Sequence, residues 1–333
     1  MTGSLPAMAA FALRRLLWTI PVMLAVVTMI FVLTRAIEGS PFRHGPLLGL
    51  TAVEGGHWVK YGDYQPPAIR ENLEERYQLD LPWYEQYLNF LEGVATFNYG
   101  SSLSFRNMQV NDIIKEQAPR SMELGLLAFA WAVLLAVPLG VFSALWQNSP
   151  LDYVVRLLSN AGFALPSFLV ATFLVHVVSL QLGWLPTNGW DGWRYKVLPA
   201  LTLGLLPMAY LTRLVRGAML ETLAEDYVRA ARAKGLRYRR VVGVHALRNS
   251  LIPAVTAAGP LLGAMLTGSF VVELIYSVPG IGRYYIASVV GRDYTVVLAI
   301  TVLLALLIVL VNLVVDLLHA LLDPRIRTAA TLA

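Results

Sequence analysis

Six stretches of this chain run for sixteen residues or more without an Asp, Glu, Lys or Arg: 16–34, 124–151, 157–190, 197–212, 249–272 and 294–315. A helix needs about 20 mostly apolar residues to cross a bilayer's hydrocarbon core. No water in that core serves backbone N–H and C=O groups, so a spanning segment must satisfy them internally. The six stretches therefore predict six transmembrane helices in an all-α, polytopic bundle. Stretch 157–190 is too long for one helix, and the turn-like Leu182-Gly-Trp-Leu-Pro-Thr-Asn-Gly189 ends it. Stretch 197–212 is short and extends towards Met219 around Arg213 and Arg216.

Composition supports the same class. Of 333 residues, 57% are hydrophobic and 14% charged, whereas a soluble domain carries about 25% charged residues. The chain lacks the polar residues to cover a soluble globule, and these figures also exclude a disordered chain and a nucleic-acid binder. Its net charge of +5 is what basic cytoplasmic loops supply in a membrane protein. There is no cysteine, hence no disulfide, thiolate nucleophile or Cys-ligated metal. A membrane-embedded enzyme would need a metal or nucleophile constellation. No His-Glu-x-x-His is present, and the five histidines are scattered.

The first stretch follows Arg14-Arg15. It is longer than a signal-peptide core and no small-x-small cleavage site follows, so a retained anchor is expected. Basic loop residues choose the orientation. Arg14 and Arg15, Arg325 and Arg327, and nine basic residues against three acidic ones over 213–248 all fall on one side. That side is assigned to the cytoplasm together with both termini. Segment 38–118 carries eleven acidic and six basic residues and lies on the opposite side. The chain thus divides into 1–36, a cytoplasmic end and first helix; 37–118, an extracytoplasmic insertion; and 119–327, a five-helix core containing a cytoplasmic hairpin at 221–250.

Within the insertion, 69–79 and 83–91 show helical apolar spacing punctuated by Pro66-Pro67 and Pro82. Its aromatics, among them Trp58, Tyr61, Tyr64, Tyr77, Trp83, Tyr84, Tyr87 and Phe90, fit a small core or a membrane-interface belt. A docking surface is the other reading. In the hairpin, Glu225 and Asp226 open a helix, Arg232 and Lys234 close it, and Gly235 stops it. That order matches the helix macrodipole and the left-handed position after a helix end. A second helix is expected from about Tyr238 to Asn249, ending before Pro253. Ala230, Ala231 and Ala233 allow close approach to another surface. A partner-docking element and a solvated basic loop are both open on charge alone.

The hairpin's residues also carry a family resemblance. Asp226-Tyr-Val-Arg-Ala-Ala-Arg-Ala-Lys-Gly-Leu followed by His245-Ala-Leu-Arg-Asn-Ser-Leu-Ile-Pro resembles the EAA loop of ABC-importer permeases, in particular the dipeptide/oligopeptide branch. The likeness continues through Ser277-Val-Pro-Gly-Ile-Gly-Arg, Arg292-Asp-Tyr, Val311-Asn-Leu-Val-Val-Asp-Leu-Leu and Leu322-Asp-Pro-Arg-Ile-Arg. At the other end Leu13-Arg-Arg-Leu-Leu and Leu79-Asp-Leu-Pro also fit. Arg229 and Arg248 depart from the general EAA pattern, which has Glu and Pro there, and both departures resemble the peptide branch. Pro41-Phe42 after Gly39-Ser40 departs where the family often has Gly-Asp-Pro.

The resemblance implies a type I ABC-importer (MetI-like) architecture in a bacterial or archaeal cytoplasmic membrane. It implies a permease subunit without ATPase activity, consistent with the absence of a G-x-x-x-x-G-K-[ST] phosphate loop. A homologous permease, cytosolic ATPases holding ATP and magnesium, and an extracytoplasmic substrate-binding protein are the implied partners. Asp226, Arg229, Ala230, Ala231, Lys234, Gly235, His245 and Arg248 are the implied coupling residues. A bulky residue at Gly235 or Ala231 is expected to uncouple transport while leaving insertion intact. Ionisable residues inside spans are functional candidates by default, which singles out Glu273 and His176 for the translocation path. Asp316 and His319 are placed at the interface, and Gly259-Pro-Leu-Leu-Gly263 is a small-xxx-small packing pattern. Family frequency makes a peptide the expected cargo. Nickel complexes, glutathione and oligosaccharides are alternatives, and an ATPase-independent secondary transporter is the rival machine.

Overall fold

The computed structural model describes residues 4–36, 52–54, 57–59, 80–105 and 108–322, with side chains over most of these from residue 14 to residue 315. Among them the chain is helical, apart from an isolated bridge between Ser101 and Gln109 and one antiparallel pair, β1 (Ala52–Glu54) and β2 (His57–Val59). Val53 stands opposite Trp58 and Glu54 opposite His57.

Among the described residues four helices are long and apolar enough to cross a membrane: the stretch Leu16–Ala36 of α1 (Ser4–Ala36), α3 (Val110–Leu145), α6 (Trp193–Ala224), and the stretch Tyr294–Val315 of α13 (Tyr294–Leu322). Two bent pairs bring the count to six when each is taken as one span. The first joins α4 (Pro150–Ala164) to α5 (Ser167–Leu174) and its π-helical continuation Val175–Gln181, with a bend of 111°. Leu165 before Pro166 is forced out of the helical region, to φ −84° and ψ 126°. The second, bent by 46°, joins Tyr238–Ser250 to α10 (Ile252–Leu266). The expected fifth stretch, 249–272, is thus cut by a short break after Leu266, and α11 (Phe270–Ile275) is a separate helix.

The chain forms two compact units: residues 1–121 with 279–309, and residues 122–278 with 310–333. In the first, α2 (Trp83–Thr96) packs on α1. Phe31 stacks with Phe90 at 6.1 Å and meets Tyr87 edge-on at 5.1 Å, and Thr28 hydrogen-bonds the Tyr87 hydroxyl at 2.6 Å. Two of the insertion's aromatics are therefore core, whereas Trp83 and Tyr84 are exposed. Helix 69–79 and Tyr61, Tyr64 and Tyr77 lie outside the described residues. Buried Asp293 caps α13, accepting from the Val296 N–H and the Thr295 hydroxyl. The same carboxylate takes hydrogen bonds from the Ser102 hydroxyl and the Ser104 N–H, fixing the 101–105 turn. The Ser121 hydroxyl accepts from Ile281 N–H at the start of α12 (Ile281–Gly291).

In the second unit, glycines set helix spacing. A Cβ on Gly204 of α6 would stand 2.5 Å from the Ala128 carbonyl of α3, and one on Gly125 of α3 would stand 2.3 Å from the Met265 carbonyl. A Cβ on Gly259 of the small-xxx-small pattern would instead meet the Val315 side chain of α13, at 2.6 Å. Lipid tails are as apolar as leucine, so close packing rather than water exclusion holds such a bundle. At Gly125 and Gly204 the backbones themselves come close.

Candidate functional site

The charged hairpin is built as its composition suggests. Glu225 alone separates α6 from α7 (Asp226–Ala233); its backbone at φ −68° and ψ 147° turns the chain, and Arg229 N–H bonds back to its carbonyl at 3.3 Å. At the far end Lys234 N–H bonds the Ala230 carbonyl at 3.0 Å, and Gly235 adopts φ +78°. Nothing lies within 4 Å of a Cβ on Gly235. Glycine is required there by backbone conformation and not by space, because an L-residue is strained at positive φ.

The hairpin has an anchored side and an offered side. Val228 and Ala231, 0% and 9% exposed, pack against Val241 in a small apolar cluster with Leu223 and Leu236. Asp226, Tyr227, Arg229, Ala230, Arg232, Ala233 and Lys234 are exposed. Ala231, expected among the small residues meeting a partner, is turned inward instead, and Ala230 and Ala233 are the small residues on the offered side. Arg229 reaches Asp226 at 3.5 Å, a surface pair of little net stability, and Arg232 lies over the Tyr238 ring at 5.0 Å.

The second arm runs through α8 (Tyr238–Arg240), a π-helical turn Val241–Ala246 and α9 (Leu247–Ser250). His245 sits in the π-turn, where its carbonyl accepts from the Tyr227 hydroxyl at 3.5 Å. Asn249 donates to the Tyr227 oxygen at 2.8 Å, and Arg248 is exposed. Tyr227 therefore ties the two arms. It was missed in the sequence because its partners lie 18 and 22 residues away.

Where α6 meets the end of α3 and the first turn of α4 lies an ionic cluster that no sequence pattern announced. Asp152, wholly buried, accepts from Arg216 Nε at 2.7 Å and from an Arg216 terminal nitrogen at 2.8 Å. The Ser143 hydroxyl and the Asn148 N–H complete its shell, at 2.5 and 3.0 Å. Asp152 also stands in the first turn of α4, where the helix dipole favours a negative charge. Arg216 lies on α6, the helix that leads into α7.

The two path candidates occupy different settings. His176 is exposed in the π-helical Val175–Gln181, with Gln181 at 3.1 Å from its Nε2. Thr172, also exposed, precedes it by one helical turn. Glu273 is 0% exposed, enclosed in α11. Nearby, the Tyr276 hydroxyl donates to the Ala171 carbonyl at 3.3 Å and shares a 2.9 Å hydrogen bond with Thr202, which joins α5, α6 and the end of α11. The side chains of Asp316 and His319 lie outside those described.

Known proteins resemble the chain at two levels. Residues 136–328 match the family described as binding-protein-dependent transport system inner membrane component. The oligopeptide transport system permease protein OppB of Haemophilus influenzae is 38% identical over 322 residues, covering 96% of this chain and 100% of that protein. The OppB of Escherichia coli (strain K12) matches to the same extent. The dipeptide transport system permease protein DppB of Bacillus subtilis is 37% identical over 320 residues, covering 96% and 98%. Among solved structures, a chain of the MetNI methionine ABC transporter in an inward-facing conformation superposes with a TM-score of 0.53 at 19% identity, over 66% of this chain and 96% of that one. That likeness is one of fold.

Proposed function

The chain belongs to the binding-protein-dependent transport system inner membrane component family, and on that premise we propose that it is the permease subunit of an ATP-driven peptide importer. It pairs with a second permease to enclose the path, receives cargo from an extracytoplasmic binding protein, and takes its drive from cytosolic ATPases that hold ATP and magnesium. Both termini and the 221–250 hairpin face the cytoplasm, as the basic loop residues favour. The observation that carries the reading is the two-sided hairpin. One side of α7 is anchored through Val228 and Ala231, and the other presents small and charged residues at the level where α6 leaves the bundle. A short helix held in this way moves as a rigid body with α6, which is what switching a path between two states by ATPase closure requires.

Of the coupling residues, Asp226, Arg229, Ala230 and Lys234 form the contact surface, Gly235 shapes the turn, and Ala231 and His245 hold the hairpin's interior. Arg248 lies exposed on the second arm. For the path, His176 with Thr172 and Gln181 supplies a polar strip on an exposed helix face. Glu273 acts from inside the wall, through the packing of α11. A peptide is the cargo because the relatives that match nearly the whole chain are peptide permeases by name.

Reconstitution of the complete importer in proteoliposomes tests this. Labelled oligopeptide should accumulate only with ATP and binding protein, and unlabelled peptide should compete where nickel complexes, glutathione and oligosaccharides do not. Peptide uptake by this chain without ATPase subunits would establish the secondary-transporter alternative instead.

A further inference from the structure

The first unit contains a cavity of about 490 Å³ lined by residues of α1, α2, the 98–103 turn and the start of α13. Its size falls within the range of small-molecule sites, about 300–1,000 Å³. Arg35, in the last turn of α1, is the one charged residue among the described residues of its lining, and none of those carries a carboxylate. The guanidinium lies over the Phe31 ring, 4.3 Å from its centroid, and donates to the Gln86 side-chain oxygen. Arg35 takes no part in the ion pairs Lys196–Glu123, Arg216–Asp152 and Arg229–Asp226. Asn89 and Asn98 add polar groups to the wall, and Phe31, Phe90 and Leu298 form an apolar side.

An arginine at the end of a membrane span ordinarily snorkels into water. This one is exposed, yet it lies over a ring and donates to an amide oxygen, with most of its five N–H donors left for a further acceptor. A planar guanidinium fork matches the two oxygens of a phosphate. The cavity joins that fork to an apolar wall at the end of an apolar span, which is the chemistry of a phospholipid headgroup and the start of its acyl chain. The lone positive charge selects an anionic headgroup. A zwitterionic lipid or a peptide would carry an ammonium group for which the described lining residues offer no carboxylate. We propose that this cavity binds one anionic phospholipid, phosphatidylglycerol in chemical class, through Arg35.

The importer, purified from membranes in mild detergent and washed extensively, should retain phosphatidylglycerol, read by native mass spectrometry. Arg35→Ala should lower the retained amount about tenfold, the scale of one charge-assisted hydrogen bond lost. Arg35→Lys should restore part of it. Asn89→Trp, which fills the cavity while keeping the cation, should lower retention as Arg35→Ala does; it carries the test if the alanine variant fails to accumulate. Inorganic phosphate should not displace the lipid. Displacement by phosphate alone, preferential retention of phosphatidylethanolamine, or equal retention by wild type and both cavity variants would each overturn the proposal. None of these outcomes depends on what cargo the importer carries.

Discussion

Replacing Asp152 with alanine is expected to destabilise the permease by about 3–5 kcal/mol, because it leaves the Arg216 guanidinium buried without its counter-ion. Arg216 donates twice to this carboxylate at 2.7 and 2.8 Å, and the aspartate is 0% exposed. Arg216→Leu should be as damaging, since it strands the anion among groups that are donors only in part. The double change Asp152→Leu with Arg216→Met should recover much of the loss, since an apolar pair of similar volume removes both desolvation costs. Thermal unfolding of the detergent-purified importer measures all three. Equal losses in the single and double variants would show that the ion pair is not the source of the stability. The cluster also has a mechanical place. Arg216 is on α6, which continues through Glu225 into α7, so the pair fixes the root of the hairpin to α4.

The second large effect separates the two sides of α7. Ala230 is exposed and Ala231 is 9% exposed against Val228 and Val241. A tryptophan at 230 should leave the fold and its melting temperature intact and lower ATP-driven uptake about thirtyfold or more, the effect of losing about 2 kcal/mol at the centre of an interface. Ala231→Leu should overpack the interior at a cost of about 1–3 kcal/mol, lowering uptake and stability together. Gly235→Val should resemble Ala231→Leu, because strain at φ +78° acts on the turn itself. Uptake by Ala230→Trp at the wild-type rate, in an importer that assembles normally, would remove α7 from the docking surface.

Features whose cause is local were legible in the sequence. The limits of α7 follow from Asp226 at one end and Gly235 at the other, and α2 follows from Pro82 and the apolar spacing after it. The bilayer-crossing stretches were legible as regions free of charge, but charge content marks the hydrocarbon layer and not the helix. So α3 begins at Val110, fourteen residues before its charge-free part, and carries Asp112, Lys115, Glu116, Arg120 and Glu123 on its early turns. The 111° break at Leu165–Pro166 was present as a residue before proline, and a count of apolar residues passed over it. Which alanine of the hairpin faces inward depends on Val241, ten residues beyond Ala231 in the next arm. The Arg216–Asp152 pair joins residues 64 apart, and no periodicity connects them.

A thiol on the exposed side of α7 tests whether that side seats on a cytosolic ATPase, as proposed. The chain has no cysteine, so Ala230→Cys places a single thiol on that side. In the assembled importer, prepared with a cysteine-free binding protein and second permease, a short bifunctional thiol-to-amine reagent should join residue 230 to an ATPase subunit. Its water-soluble maleimide labelling should drop relative to the isolated permease. Full maleimide reactivity in the assembled importer, with no cross-link to the ATPase, would contradict the account.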